Sequence, residues 1–131
     1  MIKFTIPVAP VTKKNHSEIK FINGKPILVA SKAYREFEEK CCWLLPAKYK
    51  NLHINYPVNV KALYYVKRNG RVDKTNLESA LMDTLVAAGV LADDSAMKPK
   101  IVVSTDGSRV YYDKDNPRIE VEIEEVNENA D

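Results

Sequence analysis

Apolar residues at every second position of 58–66 constrain the fold more than any other feature of this sequence. The apolar set that occupies every second position is Val58, Val60, Ala62, Tyr64 and Val66. Because successive side chains of a strand point to opposite faces, one face of this strand is strongly apolar. The pattern predicts a central strand of a sheet.

Two other segments carry apolar residues at helical spacing. Residues 32–45 predict an amphipathic helix, with Ser31 as its N-cap and Pro46 at its end. Residues 74–88 predict a second helix, which Gly89 ends as a C-cap. The apolar positions of the two helices are Tyr34, Phe37, Cys41, Leu44, Leu45, Leu77, Leu81, Leu85 and Ala88.

Shorter segments complete the predicted sheet, and the pair Asn23-Gly24 is the strongest short hairpin signal in the chain. The further extended segments are 2–6, 19–22, 26–30, 101–104, 110–112 and 119–123. This order of elements predicts an α+β fold in which two main helices pack against a mixed β-sheet. The chain of 131 residues suffices for one domain, which we place at 1–126, followed by a disordered acidic tail at 127–131.

The formal net charge of +2 is unevenly distributed along the chain. All 20 lysines and arginines lie before residue 119, together with 12 of the 18 acidic residues, so residues 1–118 carry +8. That charge suits a polyanionic partner such as nucleic acid. A solvated basic surface balanced by the acidic C-terminal stretch is the alternative.

Membrane, secreted and nucleotide-dependent proteins are disfavoured. No apolar run approaches the roughly 20 residues of a membrane span, and the N-terminus lacks the apolar region of a signal peptide. Cys41 and Cys42 are adjacent, without zinc-type spacing around them, so we expect both to be reduced. No Gly-rich phosphate loop, Ser-His-Asp pattern or Cys-His pattern is visible, so no nucleotide cofactor is expected. We therefore expect a cytosolic protein with no membrane partner.

An acidic constellation surrounds the second predicted helix. Asp73, Asn76 and Asp83 fall within roughly 80° of one another on one helix face, and Asp93-Asp94 follows the helix. Mg²⁺ takes oxygen ligands and usually keeps waters and a substrate phosphate in its shell. The neighbouring bases, which would meet those phosphates, are Lys67, Arg68, Arg71 and Lys74.

Each of these residues also has an ordinary structural explanation. Asp73 is a good N-cap, Asp83 and Asn76 suit a solvated helix face, and Asp93-Asp94 suits a turn. The basic residues suit a solubilising turn. Periodicity alone therefore leaves a metal site and these ordinary explanations both open.

Three motifs occur with fixed spacing: RVDKTNL at 71–77, ALMD at 80–83 and AGVLADDS at 88–95. They resemble the RusA-type Holliday junction resolvases, whose signature is a D-x-D-N-L start, a helix with A-x-x-D-x-L and a G-V-x-x-D-D stop. Residues 31–35 and 7–15 resemble further family segments, and the strand from Arg118 also fits. The resemblance covers about residues 2–125.

The resemblance implies a homodimeric endonuclease that uses Mg²⁺, with Mn²⁺ as an alternative metal, and that nicks two symmetry-related strands of a four-way DNA junction in recombination and repair. Many family members are carried by phages and prophages, which places the protein in the cytoplasm of a bacterial or phage-infected cell. The implied catalytic residues are Asp73, Asp94, Asn76 and Asp93. The implied metal ligands are Asp73, Asp94, Asp93 and Asp83, and the expected DNA contacts are Lys13, Lys14, Arg68, Arg71, Lys74 and Arg109.

Two positions depart from the family pattern. The second aspartate of the signature falls on Thr75, whose hydroxyl is a weaker, neutral ligand, and a helix lysine falls on Ser79. The alternative function is accordingly a non-catalytic dimer that binds DNA junctions. A domain for protein interaction is a third candidate. Downstream, residues 106–118 mix bases with tyrosines, which suits stacking on unpaired bases or an ordinary hairpin with buried tyrosines.

Overall fold

A computed structural model describes residues 1–12, 17–30, 32–68, 70, 72–92 and 101–127. Its strands are β1 (Ile2–Ile6), β2 (Ser17–Ile22), β3 (Lys25–Ala30), β4 (Val58–Val66), β5 (Val102–Ser104), β6 (Arg109–Tyr112) and β7 (Arg118–Glu125). Its helices are α1 (Lys32–Leu44) and α2 (Lys74–Ala87), with a short 3₁₀ helix at Ala47–Tyr49. Within these ranges, no helix is long and apolar enough to cross a membrane.

The main sheet has the order β1-β7-β4, with β5 and β6 both on the far side of β4. β7 runs antiparallel to β1 and to β4, whereas β5 and β6 each pair parallel to β4. β2 and β3 form a separate two-stranded sheet. The prediction of an α+β fold with a mixed sheet and two helices is confirmed.

The core lies between the helices and one face of the main sheet. Every second residue of β4 is buried, as the alternation predicted, and the corresponding residues of β1 and β7 are buried with them. α1 contributes Tyr34, Phe37 and Cys41, and α2 contributes Leu77, Ala80, Leu81 and Leu85. This arrangement fixes the start of α2 near the carboxyl end of β4, where the candidate site lies.

The edge of the sheet beside β4 is a parallel strand interrupted between β5 and β6. Asn59 bridges the interruption, because its Oδ1 accepts from Ser104 Oγ at 2.6 Å and from the backbone N of Asp106 at 2.8 Å. Ser108 Oγ accepts from the backbone N of Ala62 at 3.0 Å, in place of a ladder hydrogen bond. The prediction of a turn at 106–107 is confirmed. Residues 106–118 do not form a hairpin, because β6 and β7 lie on opposite sides of β4, and Tyr111 and Tyr112 are exposed rather than buried.

Two turns depend on left-handed backbone conformations. Asn23 (φ 53°) and Gly24 (φ 77°) connect β2 to β3, as the hairpin signal predicted. Gly89 (φ 80°) follows α2, and a Cβ at this position would lie 3.0 Å from the backbone N of Asn51. The predicted N-cap Ser31 and most of the predicted acidic tail lie outside the described residues.

Candidate metal and nucleic-acid site

Asp73 is the N-cap of α2 and is held by Asn76. Its Oδ1 accepts from the backbone N of Asn76 at 3.2 Å, and its Oδ2 accepts from Asn76 Nδ2 at 2.9 Å. The Asn76 side chain thus aligns the carboxylate by a second bond, which an ordinary cap lacks. Asp73 is exposed at this end of the helix, so its carboxylate is both held in one orientation and accessible to solvent.

The capping interpretation of Asp73 is correct, and it does not compete with metal binding. A carboxylate has about four lone-pair sites, and the two hydrogen bonds from Asn76 use two of them. Mg²⁺ commonly binds through one or two carboxylates plus waters and substrate phosphate. Asp73 therefore suits a metal ligand, and Asn76 suits the residue that orients it.

Asp83 lies on another part of α2. Ten residues of helix correspond to a rise of about 15 Å, so Asp83 and Asp73 do not share one metal ion. The charge of Asp83 instead acts on α1, where it contributes, after burial, to raising the pKa of Tyr34. Asp83 also lines a cavity of 250 Å³ with Ala92 and Ile101, the two residues that flank segment 93–100.

Asp93 and Asp94, the other acids of the predicted site, lie outside the described residues. Within the described ranges, no three His, Cys, Asp or Glu side chains are grouped to hold a metal ion. The described part of the chain thus supplies one aligned carboxylate, Asp73, and the amide that fixes it. This donor set fits an anchor for Mg²⁺ and needs further oxygen ligands from elsewhere.

The described members of the predicted DNA-binding set lie around the carboxyl end of β4 and on the neighbouring edge strand. Arg68 follows β4 and is exposed, and Arg109 is exposed at the start of β6. Lys74 opens α2 and lies 3.8 Å from Glu78, one helical turn away. These cations suit backbone phosphates on both sides of this end of the sheet. Lys13, Lys14 and Arg71 lie outside the described residues.

On the open face of the sheet, opposite the helices, acidic residues of the C-terminal stretch pair with bases from the rest of the chain. Glu122 lies 3.2 Å from Lys3 Nζ and 3.7 Å from Lys61 Nζ. Arg118 donates from Nε to Glu120 at 2.8 Å and from Nη1 to Asp113 at 3.0 Å. Part of the acidic C-terminal stretch is therefore a strand that neutralises neighbouring bases. The +8 of residues 1–118 therefore overstates the unpaired positive charge of this face.

Hydrogen bonds on this face also lower the pKa values of two carboxyl groups. The Arg118 guanidinium, followed by the Asn116 backbone N, lowers the pKa of Asp113. Lys3 lowers the pKa of Glu122. Both carboxylates are therefore held in their charged form.

A row of planar groups crosses the open face on three adjacent strands. Tyr65 pairs with Arg118 of β7 on one side and with Tyr111 of β6 on the other. The Arg118 guanidinium lies 3.7 Å from the Tyr65 ring centroid, and the Tyr65 and Tyr111 rings stack at 5.1 Å with an interplanar angle of 21°. Sequence reasoning identified the tyrosine-rich run but missed this row, because it requires the strand register.

Between the helices and the sheet, the titratable side chains of Tyr34, Tyr64 and Cys41 are buried. Burial, followed by the charge of Glu78, raises the pKa of Tyr64, whose hydroxyl has no hydrogen-bond partner within the described part of the chain. Burial raises the pKa of Cys41 to about 12. Cys41 and Cys42 are both free thiols, as expected.

Comparison with known proteins gives the site a family context. The family model described as Endodeoxyribonuclease RusA matches residues 7–124. No curated protein matches the sequence. The matched region includes β4, α2 and segment 93–100, and thus every acidic residue predicted for the site. Because this match spans nearly all of the sequence, the chain belongs to the RusA family of endodeoxyribonucleases, enzymes that hydrolyse DNA and resolve Holliday junctions.

Proposed function

We propose that this protein is a Mg²⁺-dependent endonuclease that resolves four-way DNA junctions by paired phosphodiester hydrolysis in the cytoplasm of a bacterial or phage-infected cell. The observation that carries the proposal is the aligned, exposed carboxylate of Asp73 at the start of α2. Lys74 follows Asp73 directly as the first residue of α2, and Arg68 lies two residues beyond the carboxyl end of β4. A fixed carboxylate among phosphate-binding cations suits metal-assisted cleavage of a phosphodiester.

In the proposed mechanism, Asp73, Asp93 and Asp94 hold the metal. Mg²⁺, when bound, supplies charge that stabilises the attacking and leaving oxygens and lowers the pKa of a water. Asn76 keeps the Asp73 carboxylate in one orientation through its Nδ2. Arg68, Lys74 and Arg109 bind flanking phosphates and position the strand. Asp83 is not among the proposed ligands, because of its distance along α2.

Thr75 and Ser79 stand where the family signature has an aspartate and a lysine, and both are exposed on α2. We propose that Lys74, in the first turn of α2, supplies the missing cation. Its present partner is Glu78, at 3.8 Å on a partly exposed surface. An exposed pair of this kind contributes little stability and is easily exchanged for a phosphate. The alternative function, junction binding without cleavage, follows if this replacement fails.

The first experiment is a cleavage assay on a synthetic four-way junction, with and without Mg²⁺. Wild type is expected to produce paired nicks only with the metal. Asp73→Asn and Asp94→Asn are expected to bind the junction without nicking it, and Asn76→Ala to lose about 10–100-fold in rate. Asp106→Asn, at an exposed turn on the open face, is the matched control and should cleave normally. Tight binding by wild type without nicks in Mg²⁺ or Mn²⁺ would establish the non-catalytic alternative.

We further propose that two copies associate through the β2–β3 hairpin. Register places Ile19 opposite Leu28 and Phe21 opposite Pro26, so these four apolar residues share one face of the hairpin. Ile19, Phe21 and Leu28 are 65%, 73% and 71% exposed. A two-stranded sheet is marginal alone, and an exposed apolar face of this kind favours association. A two-fold dimer presents the same face from each subunit and suits the two-fold symmetry of a junction.

Sedimentation or light scattering tests this dimer. Leu28→Glu is expected to give a folded monomer, because it buries a charge in the proposed interface. Ile22→Glu, on the opposite hairpin face beside Lys25, is the matched control and should remain dimeric. A monomeric wild type, or equal effects of both substitutions, would contradict the interface.

A further inference from the structure

The row of planar groups on the open face ends at the sheet edge on Tyr111. We propose that the outer face of the Tyr111 ring is a stacking site for an unpaired nucleobase of branched DNA. This inference rests on the proposed function and adds a base-binding contact to it. The site is separate from the metal anchor: Asp73 caps α2 on the helix-covered side, whereas Tyr111 shares the open face with Tyr65.

The spacing of the row leaves room for one more planar group. Tyr65 has Arg118 on one side at 3.7 Å and Tyr111 on the other at 5.1 Å, so both faces of its ring are covered. Among the described residues, Tyr65 alone stacks on the Tyr111 ring, which is 42% exposed. Within the described residues, β6 pairs with β4 alone, which leaves Tyr111 at the edge. A base stacked there continues the row at the next strand spacing, about 4.8 Å away.

The row is fixed before any ligand arrives. Arg118 donates to Asp113, to Glu120 and to the backbone carbonyl of Asn116 at 2.8–3.0 Å. These bonds hold its guanidinium against Tyr65, which in turn supports Tyr111. A ring held in place loses little conformational entropy on binding. Since Arg118 is already paired with two carboxylates, its role here is support for the stack rather than phosphate binding.

The surroundings favour a nucleobase over an apolar protein surface. Arg109 lies two residues before Tyr111 on the same face, and Arg68 follows the end of β4; both are exposed. Stacking aromatics flanked by phosphate-binding cations are the usual elements of single-strand recognition. Inside a continuous duplex both faces of each base are covered by neighbours. The ring therefore selects a base at a branch point or an open end.

The test uses four-way junctions that carry the fluorescent base 2-aminopurine either at the branch point or inside a duplex arm. Wild type is expected to quench the branch-point probe and leave the arm probe unchanged. Tyr111→Ala should lose this quenching and bind the junction about 10-fold more weakly. Tyr111→Phe should retain both. Tyr56→Ala, which removes a tyrosine of similar exposure (40%), is the matched control and should behave as wild type.

The outcomes separate this inference from the proposed function. If wild type binds and cleaves the junction while Tyr111→Ala quenches and binds equally well, the stacking site is wrong and the nuclease stands. If Tyr111→Ala changes the oligomeric state instead, the ring belongs to a protein interface, and the inference is also overturned. If wild type binds no branched DNA, both fail. Should Tyr111→Ala unfold, Tyr111→Leu keeps the bulk of the side chain without the aromatic face, and loss of quenching is again required.

Discussion

On the face of β4 that meets the helices, Val58, Val60 and Tyr64 are fully buried, whereas the opposite face presents Asn59, Lys61 and Tyr65 half-buried. The first face excludes water and packs against α1 and α2. The second is a network of ion pairs, side-chain hydrogen bonds and stacked rings. One face of β4 thus contributes to the apolar core, whose burial dominates folding energetics. The other face contributes to a polar surface whose side chains can exchange their present partners for a ligand.

The two proposed ligand sites differ in character because they depend on different faces of β4. The metal anchor depends on α2, whose position the buried face fixes. The stacking row depends on strand register alone, because its members sit on β7, β4 and β6. Substitutions on the two faces should therefore have separable effects on stability and on DNA binding.

The largest expected effect is the loss of stability when a cavity is created on the helix-covered side. Leu85 is fully buried on α2, so Leu85→Ala should lower the free energy of unfolding by about 2–5 kcal/mol. Leu63→Ala makes the same change on the partly exposed open face and should cost less than about 1 kcal/mol. Urea unfolding measures both. Equal losses would contradict the division of roles between the faces.

A smaller loss is expected where the edge strand is interrupted. Ser108→Ala leaves the buried backbone N–H of Ala62 without its acceptor and should cost about 1–3 kcal/mol. Ser104→Ala removes a hydroxyl that donates to Asn59 in a partly exposed position and should cost less. Chemical denaturation compares the two variants. A larger effect at Ser104 would show that Asn59, and not Ser108, holds the interruption together.

Much of the fold could be predicted because it depends on local pattern. The alternation in β4 and the helical spacing in α2 report burial directly, and Gly89 and Asn23-Gly24 report backbone conformation. The parallel pairing of β6 with β4 could not be predicted, since no local signal encodes which distant strand becomes a neighbour. Without that pairing, a hairpin with buried tyrosines at 106–118 stayed open beside the interpretation of the same run as a stacking surface.

The candidate site was predictable only in part, for the same reason. Asp73 and Asn76 are three residues apart on one helix end, so their contact follows from helix geometry. Helical angle alone also grouped Asp83 with them, because it ignores rise along the axis. The neutralisation of bases by Glu120 and Glu122 depends on strand register, and summing charge along the sequence missed it.

The two faces should also lose stability at opposite ends of the pH scale. Burial raises the pKa of Cys41 to about 12, and it raises the pKa of Tyr34 and Tyr64. The unfolded state then releases protons first as pH rises, so stability should fall above about pH 9. At the open face the pKa values of Asp113 and Glu122 are lowered, so their contribution is lost as pH falls below their ordinary range.

Denaturation at several pH values, with matched variants, checks this prediction. Tyr64→Phe and Cys41→Ala should each flatten the loss of stability above about pH 9. Glu122→Gln should flatten only the acid side. If a variant changed the pH dependence at the opposite end of the pH scale, the assignment of that titrating group to its face would be contradicted.

The smallest expected effect is that of the ion pairs themselves. Glu122→Gln removes the partner of Lys3 and Lys61, but these side chains remain partly exposed and gain little from pairing in water. The melting temperature should fall slightly at low salt and match wild type near about 1 M salt, where screening is nearly complete. Glu124→Gln, an exposed carboxylate two residues along β7, is the control. If Glu122→Gln were as damaging as Leu85→Ala, the open face would be structural, and its freedom to bind DNA would have to be abandoned.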